Sequence, residues 1–317
     1  MALLVLFAAV AFVAFTNGAN ANFKGVASLY GSGTTSLRTA AYWGTATTFA
    51  GSLASNFLAG GLLKAFGGRG IVADELADSH TFVTAVAVGA ALTSFFATRL
   101  GFPVSTTHAL VGALVGAGLI GGGNVQLAPL GTLILYPLFF SPFVSAVAGG
   151  LVYLLLWAVK LAPDRRTPLL DALHFGCAGA ASFARGLNDT PKMVALLLVV
   201  PNLNLPLAFV TVAGTIALGG LLDVRRVAET LGKKITDMNP GQGFAAAVVT
   251  AGLVATASLH GLPVSTTHVS VGSLLGMGVV TRQARWRKVG EILLAWVTTV
   301  PCGAALAAAA YALLRTL

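Results

Sequence analysis

The sequence predicts an all-α polytopic membrane protein built from two inverted-topology repeats with broken helices and re-entrant hairpins. Three observations carry this: a very apolar composition, an internal duplication, and the placement of basic residues between apolar runs. Of 317 residues, 56% are hydrophobic and only 9% are charged, too few charges to cover a water-facing surface of ordinary density. Apolar stretches at 82–98, 125–159, 205–222, 243–259 and 289–314 approach or exceed the ~20 residues that cross a bilayer. An integral, multi-pass protein of the cell (inner) membrane is expected. The formal charge of +9 does not signal nucleic acid, because the basic residues sit in short clusters between apolar runs without an aromatic platform.

The duplication is the most specific signal. GFPVSTTH at 101–108 and GLPVSTTH at 261–268 differ at one position, and 12 of 18 positions agree between 101–118 and 261–278. A weaker pair precedes them in the same order, GANANFK at 18–24 and GLNDTPK at 186–192. The halves are 1–160 and 161–317. Residues 1–15 followed by Ala19-Asn20-Ala21 resemble a secretory leader with its cleavage site. No Lys or Arg precedes that run, and the related motif recurs deep inside the chain, so an uncleaved helix is expected.

Basic residues in short loops stay on the cytoplasmic side. Arg38, Arg99, Lys160, Arg165 and Arg166, then 225–234 and 282–288, all fall inside if the N-terminus is outside, whereas the acidic loop 64–80 falls outside. The halves then start on opposite sides, as in many secondary transporters. Arg99 lies next to the repeated motif, which leaves two counts open: ten spans, or eight spans plus two hairpins.

The repeated motif suits an anion. Pro103 and Pro263 are expected in a helix's first turn, where a missing N–H costs nothing. The residues after them would offer free backbone N–H groups at the positive end of the helix dipole. Ser105, Thr106, Thr107, Ser265, Thr266 and Thr267 add hydroxyl donors, and two such ends facing each other form an oxyanion cage. The alternative is that these hydroxyls merely cap helices or bond to carbonyls. The first motif pair lies part-way along segments of about 30 residues, 2–31 and 169–200, where charges are costly. Lys24, Asp189 and Lys192 would each cost about 2.5–3.5 kcal/mol or more at mid-bilayer unless paired or hydrated. Lys24 and Lys192 can neutralise a dianion while Asn17, Asn20, Asn22 and Asn188 donate to it. Asp189 suits a coupling cation, a proton relay or a salt bridge to lysine. His108 and His268 are either relays or anchors for the hairpins; Arg185 either aids the anion or faces the cytoplasm. No metal site or cofactor is expected, and no nucleophile–base pair points to an enzyme.

These residues resemble the inorganic phosphate transporter (PiT) family, which carries duplicated Asn-Asp motifs in broken helices and a Pro-Val-Ser-Thr-Thr motif in each half. The resemblance covers nearly the whole chain; FARGLNDTPKM at 183–193 and ETLGKKITDMNP at 229–240 look like family segments. It implies a permease that binds phosphate between the motif pairs, driven by Na⁺ or H⁺. The first motif departs from it: the family's Gly-Ala-Asn-Asp becomes Gly18-Ala19-Asn20-Ala21, and the Asn expected three residues on is Lys24. Losing a hard oxygen ligand weakens any Na⁺ site there, so Na⁺-independent or H⁺-coupled phosphate transport is expected. Sulfate permease on the same scaffold is the runner-up, followed by a passive anion channel. Expected partners are the lipid bilayer, phosphate (free or as a metal-phosphate) or sulfate, and H⁺ or Na⁺; a homo-oligomer is left open.

Overall fold

The computed structural model describes residues 2–66, 71–122 and 125–316; residues 67–70 of the expected outer loop lie outside this set, as do 123–124. The α-helices, in order, are α1 Ala2–Ala21, α2 Ala27–Gly31, α3 Leu37–Leu58, α4 Gly60–Ala65, α5 Asp74–Ala77, α6 His80–Arg99, α7 Thr106–Ile120, α8 Leu127–Leu130, α9 Tyr136–Ala158, α10 Pro168–Val194, α11 Leu205–Leu222, α12 Arg225–Lys233, α13 Pro240–Leu259, α14 Thr266–Val280 and α15 Trp286–Leu314.

Two apolar clusters mark the ends of the molecule. The first gathers Leu6, Phe66, Val72, Phe82, Leu138, Val194, Ala208 and Tyr311; the second gathers Leu29, Ala40, Tyr153, Ala178, Val224, Leu231 and Val289. Buried residues of α1–α2, α9, α10 and α15 fall in both clusters, those of α3 in the second alone and those of α11 in the first alone. The buried apolar residues of α6 and α7 belong to the first cluster alone, and those of α13 and α14 contribute to the second and never the first. Each pair is joined by a tight turn, at residues 100–105 and 260–265, into a helical hairpin, and α6 and α13 are also long and apolar enough to cross a membrane. Arg99 ends α6 at the basic end of the molecule, 3.3 Å from Asp223, as the charge pattern requires.

Packing repeats with the same symmetry. α1 packs on α6 as α10 packs on α13; α1 on α11 as α10 on α3; α7 on α15 as α14 on α9. The hairpin of each half thus lies against the last helix of the other half. Since the two hairpins rise from opposite ends, the halves are related as inverted repeats, with the large basic loops collected at the second cluster's end. The glycines shared by the duplicated strings have a physical reason. A Cβ on Gly112 or Gly116 would overlap the carbonyl oxygens of Val300 and Ala304 on α15, and one on Gly276 that of Ala146 on α9. Small residues let these backbones touch where lipid supplies no hydrophobic drive for association.

The two halves differ at their first motif. In the first, the helix breaks at residues 22–26 between α1 and α2. In the second, α10 remains helical through the whole motif, with Pro191 inside it, and passes into a 3₁₀ turn at Ala195–Leu197. Here the expected interruption becomes a tightening of the last turn.

Gly116→Val and Gly276→Val are expected to lower stability by about 2 kcal/mol or more, through overpacking against a backbone that cannot yield. Reversible unfolding in mixed micelles measures this; unchanged midpoints for both would refute the close approach.

Candidate functional site

The two hairpin turns are built alike. Gly101 and Gly261 take φ of +75° and +69°, a left-handed conformation that favours glycine. An extended stretch follows, and the next helix starts at Ser105 and Ser265, each an N-cap whose hydroxyl accepts from the backbone N–H of His108 or His268. Pro103 and Pro263 therefore lie before the N-caps rather than in the first turn as expected. The serine caps fix the helix starts, and the prolines hold the approach extended. That approach leaves the carbonyls of residues 102–104 and 264 without helical partners, and they face the middle of the molecule.

Side chains from both first motifs meet these carbonyls. Lys24 donates to Val104 O at 2.9 Å, and Lys192 to Val264 O at 3.3 Å, the matching atom of the other hairpin. Thr267 crosses over to Val104 O at 2.7 Å, and Lys192 crosses over to Thr107 at 2.8 Å. Thr106 receives a bond from Asn17 at 2.9 Å. Thr266 is buried beside these residues at the start of α14. Asn20 and Asn188 behave as a pair too. Asn20 donates to Thr98 and to Phe102 O and accepts from Val104 N; Asn188 donates to Ser258 and accepts from Lys192. Thr98 and Ser258 each stand three residues before the repeated glycine, a correspondence that the sequence alignment of the halves contains but that composition does not reveal. Both amide atoms of Asn20 are spent on the hairpin tip, so it positions the tip instead of offering its donor to an anion.

The centre carries an uneven charge. Asp189 accepts from Asn17 at 3.2 Å and Lys192 at 3.2 Å, and its other ion-pair partner, Arg185, stands at 3.5 Å. Arg185 also donates to the side chain and backbone of Asn17 and to Asn22 at 3.4 Å. Asn17 and Arg185 occupy equivalent positions in the two motifs, so the axis relating the halves runs between them. Lys24 (3% exposed), Arg185 (1%), Asp189 (4%) and Lys192 (1%) are all buried: counted formally, three cations less one carboxylate, or +2. Asp189 is thus a salt-bridge partner in this arrangement, with its oxygens occupied. Arg185, which the sequence left between two roles, joins the centre. Asn22, whose oxygen accepts from Arg185, donates its amide to Thr45 at 2.6 Å.

His108 and His268 face each other with ring centroids 4.7 Å apart. His268 stacks on Trp296 at 3.9 Å and shares a hydrogen bond with Leu138 O, while Trp296 donates to Pro103 O. His268 is therefore tied into the packing around both tips. His108 Nδ1 and His268 Nε2 are buried without partners among the described residues. A cavity of about 440 Å³ opens at the first cluster's end, lined by Lys64, Phe66, Asp78, Phe82, Leu114 and Leu196 among others. The Phe66 ring, 5.7 Å from Lys192 Nζ, separates this cavity from the charged centre. Beside Lys24 the packing leaves only about 10 Å³.

The sequence profile described as the phosphate transporter family matches residues 17–169 and again 162–307. The chain belongs to that family. This family member is 32% identical, over 77% of each chain, to a probable low-affinity inorganic phosphate transporter of Rhizobium meliloti (strain 1021). It is 27% identical, over 98% of its length and 77% of the relative's, to the protein of that description in Mycobacterium leprae (strain TN). A solved structure titled "The sodium-dependent phosphate transporter" superposes with a TM-score of 0.84 over 100% of this chain and 99% of that one, at 23% identity. That likeness establishes a shared fold.

Removing the one carboxylate of the centre is expected to be severe. Asp189→Asn should destabilise by about 3–5 kcal/mol, because it leaves buried cations without their partner, and should abolish uptake. Thermal unfolding and transport assays check both; wild-type values in the two assays would show that the ion cluster is dispensable.

Proposed function

We propose that this chain is a secondary-active permease for inorganic phosphate that holds the anion between its two hairpin tips, within halves 1–160 and 161–317, and works without Na⁺. The observation that carries the reading is the meeting of two serine-capped helix starts with Lys24, Lys192 and Arg185 in a buried centre of net charge +2. The family and its relatives supply the identity of the anion; the charge supports an anionic cargo independently.

Binding requires the tips to part. An entering oxyanion takes over the ammonium hydrogen bonds that Lys24 and Lys192 now give to Val104 O and Val264 O, and it gains the O–H groups of Ser105, Thr106, Thr107, Ser265, Thr266 and Thr267. Charge-assisted bonds of this kind are about twice as strong as neutral ones, which favours the exchange of partners. One half then rocks against the other and releases the anion on the far side. HPO₄²⁻ balances the +2 centre, whereas a neutral metal-phosphate leaves both charges standing. Ala21, where the second half has Asp189, supplies no oxygen for a cation, and Lys24 places an ammonium nearby. If a cation couples transport, H⁺ is the one these residues suit, with Asp189, His108 and His268 as the groups within reach.

One observation favours sulfate as a second cargo. The Asp189 oxygens are taken by Asn17, Arg185 and Lys192, so no free carboxylate is left to accept the proton that distinguishes phosphate from sulfate.

Labelled phosphate uptake into proteoliposomes is expected to run at equal rates in Na⁺ and in choline medium, and excess sulfate is expected to slow it. Strict Na⁺ dependence would sink the coupling argument, and uptake of sulfate alone would move the cargo. Ser105→Ala and Ser265→Ala should each raise the KM about fivefold to tenfold, through a lost donor and a weakened helix cap worth roughly 1 kcal/mol; wild-type kinetics in both would remove the tips from the binding site.

A further inference from the structure

Lys24, Arg185, Asp189 and Lys192 are buried, as are Thr107 and Thr267 beside them, so an anion reaches the lysines only when a cover moves. Each hairpin turn is covered by a short helix from the opposite half. At the basic end α12 lies over the turn of the first hairpin, where a Cβ on Gly101 would meet Arg226 O at 3.5 Å and Thr230 Oγ1 at 3.7 Å. Polar bonds hold this cover. Arg226 donates to Arg99 O at 2.6 Å, Lys233 donates to Gly31 O at 3.1 Å, and Asp223, just before α12, pairs with Arg99. At the other end α4 lies over the turn of the second hairpin, and there the segments meet glycine to glycine. A Cβ on Gly61 would lie 3.1 Å from Gly261 Cα, and one on Gly261 would lie 3.2 Å from Gly61 Cα. Among the described residues, one on Gly60 would meet nothing within 4 Å.

Phe66 follows directly on α4 as its C-cap. It is buried, and its ring faces the Lys192 ammonium at 5.7 Å, within the reach of a cation–π contact. On the ring's other side lies the cavity of about 440 Å³, whose lining also includes Lys64, Ala195 and Leu196. That volume has room for an anion with several waters, and one aromatic ring stands between it and the ammonium. An apolar pocket of about 310 Å³ between α6 and α15 also reaches a tip residue, Val104, but Phe96, Leu100 and Leu294 line it, which suits lipid tails and not an ion.

Resting on the permease reading above, we infer that Phe66, carried on the end of α4, is the outer gate of the anion path. The ring is the last barrier between the cavity and Lys192, and it moves aside when α4 lifts from Gly261. The face concerned is the one opposite the basic loops, which the charge pattern puts outside. An entering anion replaces the ring as the neighbour of the ammonium, so opening exchanges a weak contact for a charge-assisted one. The polar ties of α12 keep the basic side shut meanwhile. Phe66 therefore governs access to the site and is not one of the donors that hold the anion.

The test is labelling of a thiol placed behind the ring. In a Cys177→Ser, Cys302→Ser background, Thr107→Cys puts a thiol beside Lys192. A membrane-impermeant anionic methanethiosulfonate is applied to intact cells or to inverted membrane vesicles, with no phosphate present. Phe66→Ala is expected to raise the labelling rate in cells at least about tenfold and to leave that in inverted vesicles within about twofold. Phe66→Tyr, which keeps a ring, should label like the parent. Because Phe66 also belongs to the first apolar cluster, a second variant leaves the ring in place. Gly61→Val drives a side chain against Gly261 and should raise labelling in cells several-fold, whereas Gly60→Val, which points into open space, should not. A rate unchanged by both Phe66→Ala and Gly61→Val, or raised equally from both faces, overturns the gate. Since the label is read without phosphate, that result leaves the phosphate reading standing, and a failure of phosphate uptake would leave the gate standing.

Discussion

Four ionisable side chains lie buried where the two halves meet. A low-dielectric interior tolerates such groups only when each has a partner of opposite charge or a full set of hydrogen bonds. Asp189 supplies the charge for Arg185 and Lys192. The lysines then need acceptors beyond it, and the extended hairpin tips provide them as backbone carbonyls with no helical duty. This requirement explains features that look unrelated in the sequence. The positive-φ glycines turn the chain, the prolines keep the next residues extended, and the serines restart the helix only after the carbonyls have been turned inward. The close glycine contacts of α7 with α15 and of α14 with α9 then hold each tip at the depth where its carbonyls meet a lysine.

Much of this was legible because duplication carries information that single motifs do not. Two copies of Pro-Val-Ser-Thr-Thr-His, in the same order after two copies of a polar motif, force a two-unit architecture, and the loop charges fix the units as inverted. Lys24, Lys192, Thr107 and Thr267 come together as their spacing suggested. What the sequence hid was which atom each side chain faces. Asn20 reads as an anion donor, yet its amide fits the polar backbone of a turn 78 to 84 residues away, a pairing no local pattern encodes. Proline's preference for the first helical turn was outweighed by the serine cap two residues later. The span count stays open between hairpins and crossings, because α6 and α13 are as apolar as the other candidate spans.

The symmetry of the scaffold and the asymmetry of its charges serve different ends. Hydrogen bonds at the tips repeat: Asn20 with Thr98 and Asn188 with Ser258, Lys24 with Val104 O and Lys192 with Val264 O. A carrier that presents one site to two sides needs such equivalence, because each hairpin must be able to play the part of the other as the halves rock. The ionised groups do not repeat. Ala21 stands opposite Asp189, and Asn17 opposite Arg185, so the second half contributes three charges and the first only Lys24.

That division bears on which half holds and which half yields. Lys192 is bound by Asn188, Asp189, Thr107 and Val264 O, a set that spans both hairpins and has a carboxylate at its centre. Lys24 gives its ammonium to one carbonyl, Val104 O. An incoming anion therefore competes with a single neutral acceptor at Lys24 and with a charged, fourfold set at Lys192. The first hairpin's hold on Lys24 is the weaker bond to displace. Asn20 fastens that hairpin through its backbone, so the turn keeps its shape when its carbonyl gives up the lysine. The ammonium that the first half adds is in this way the most available positive charge of the centre, while the second half keeps the rest in a fixed cluster around Asp189.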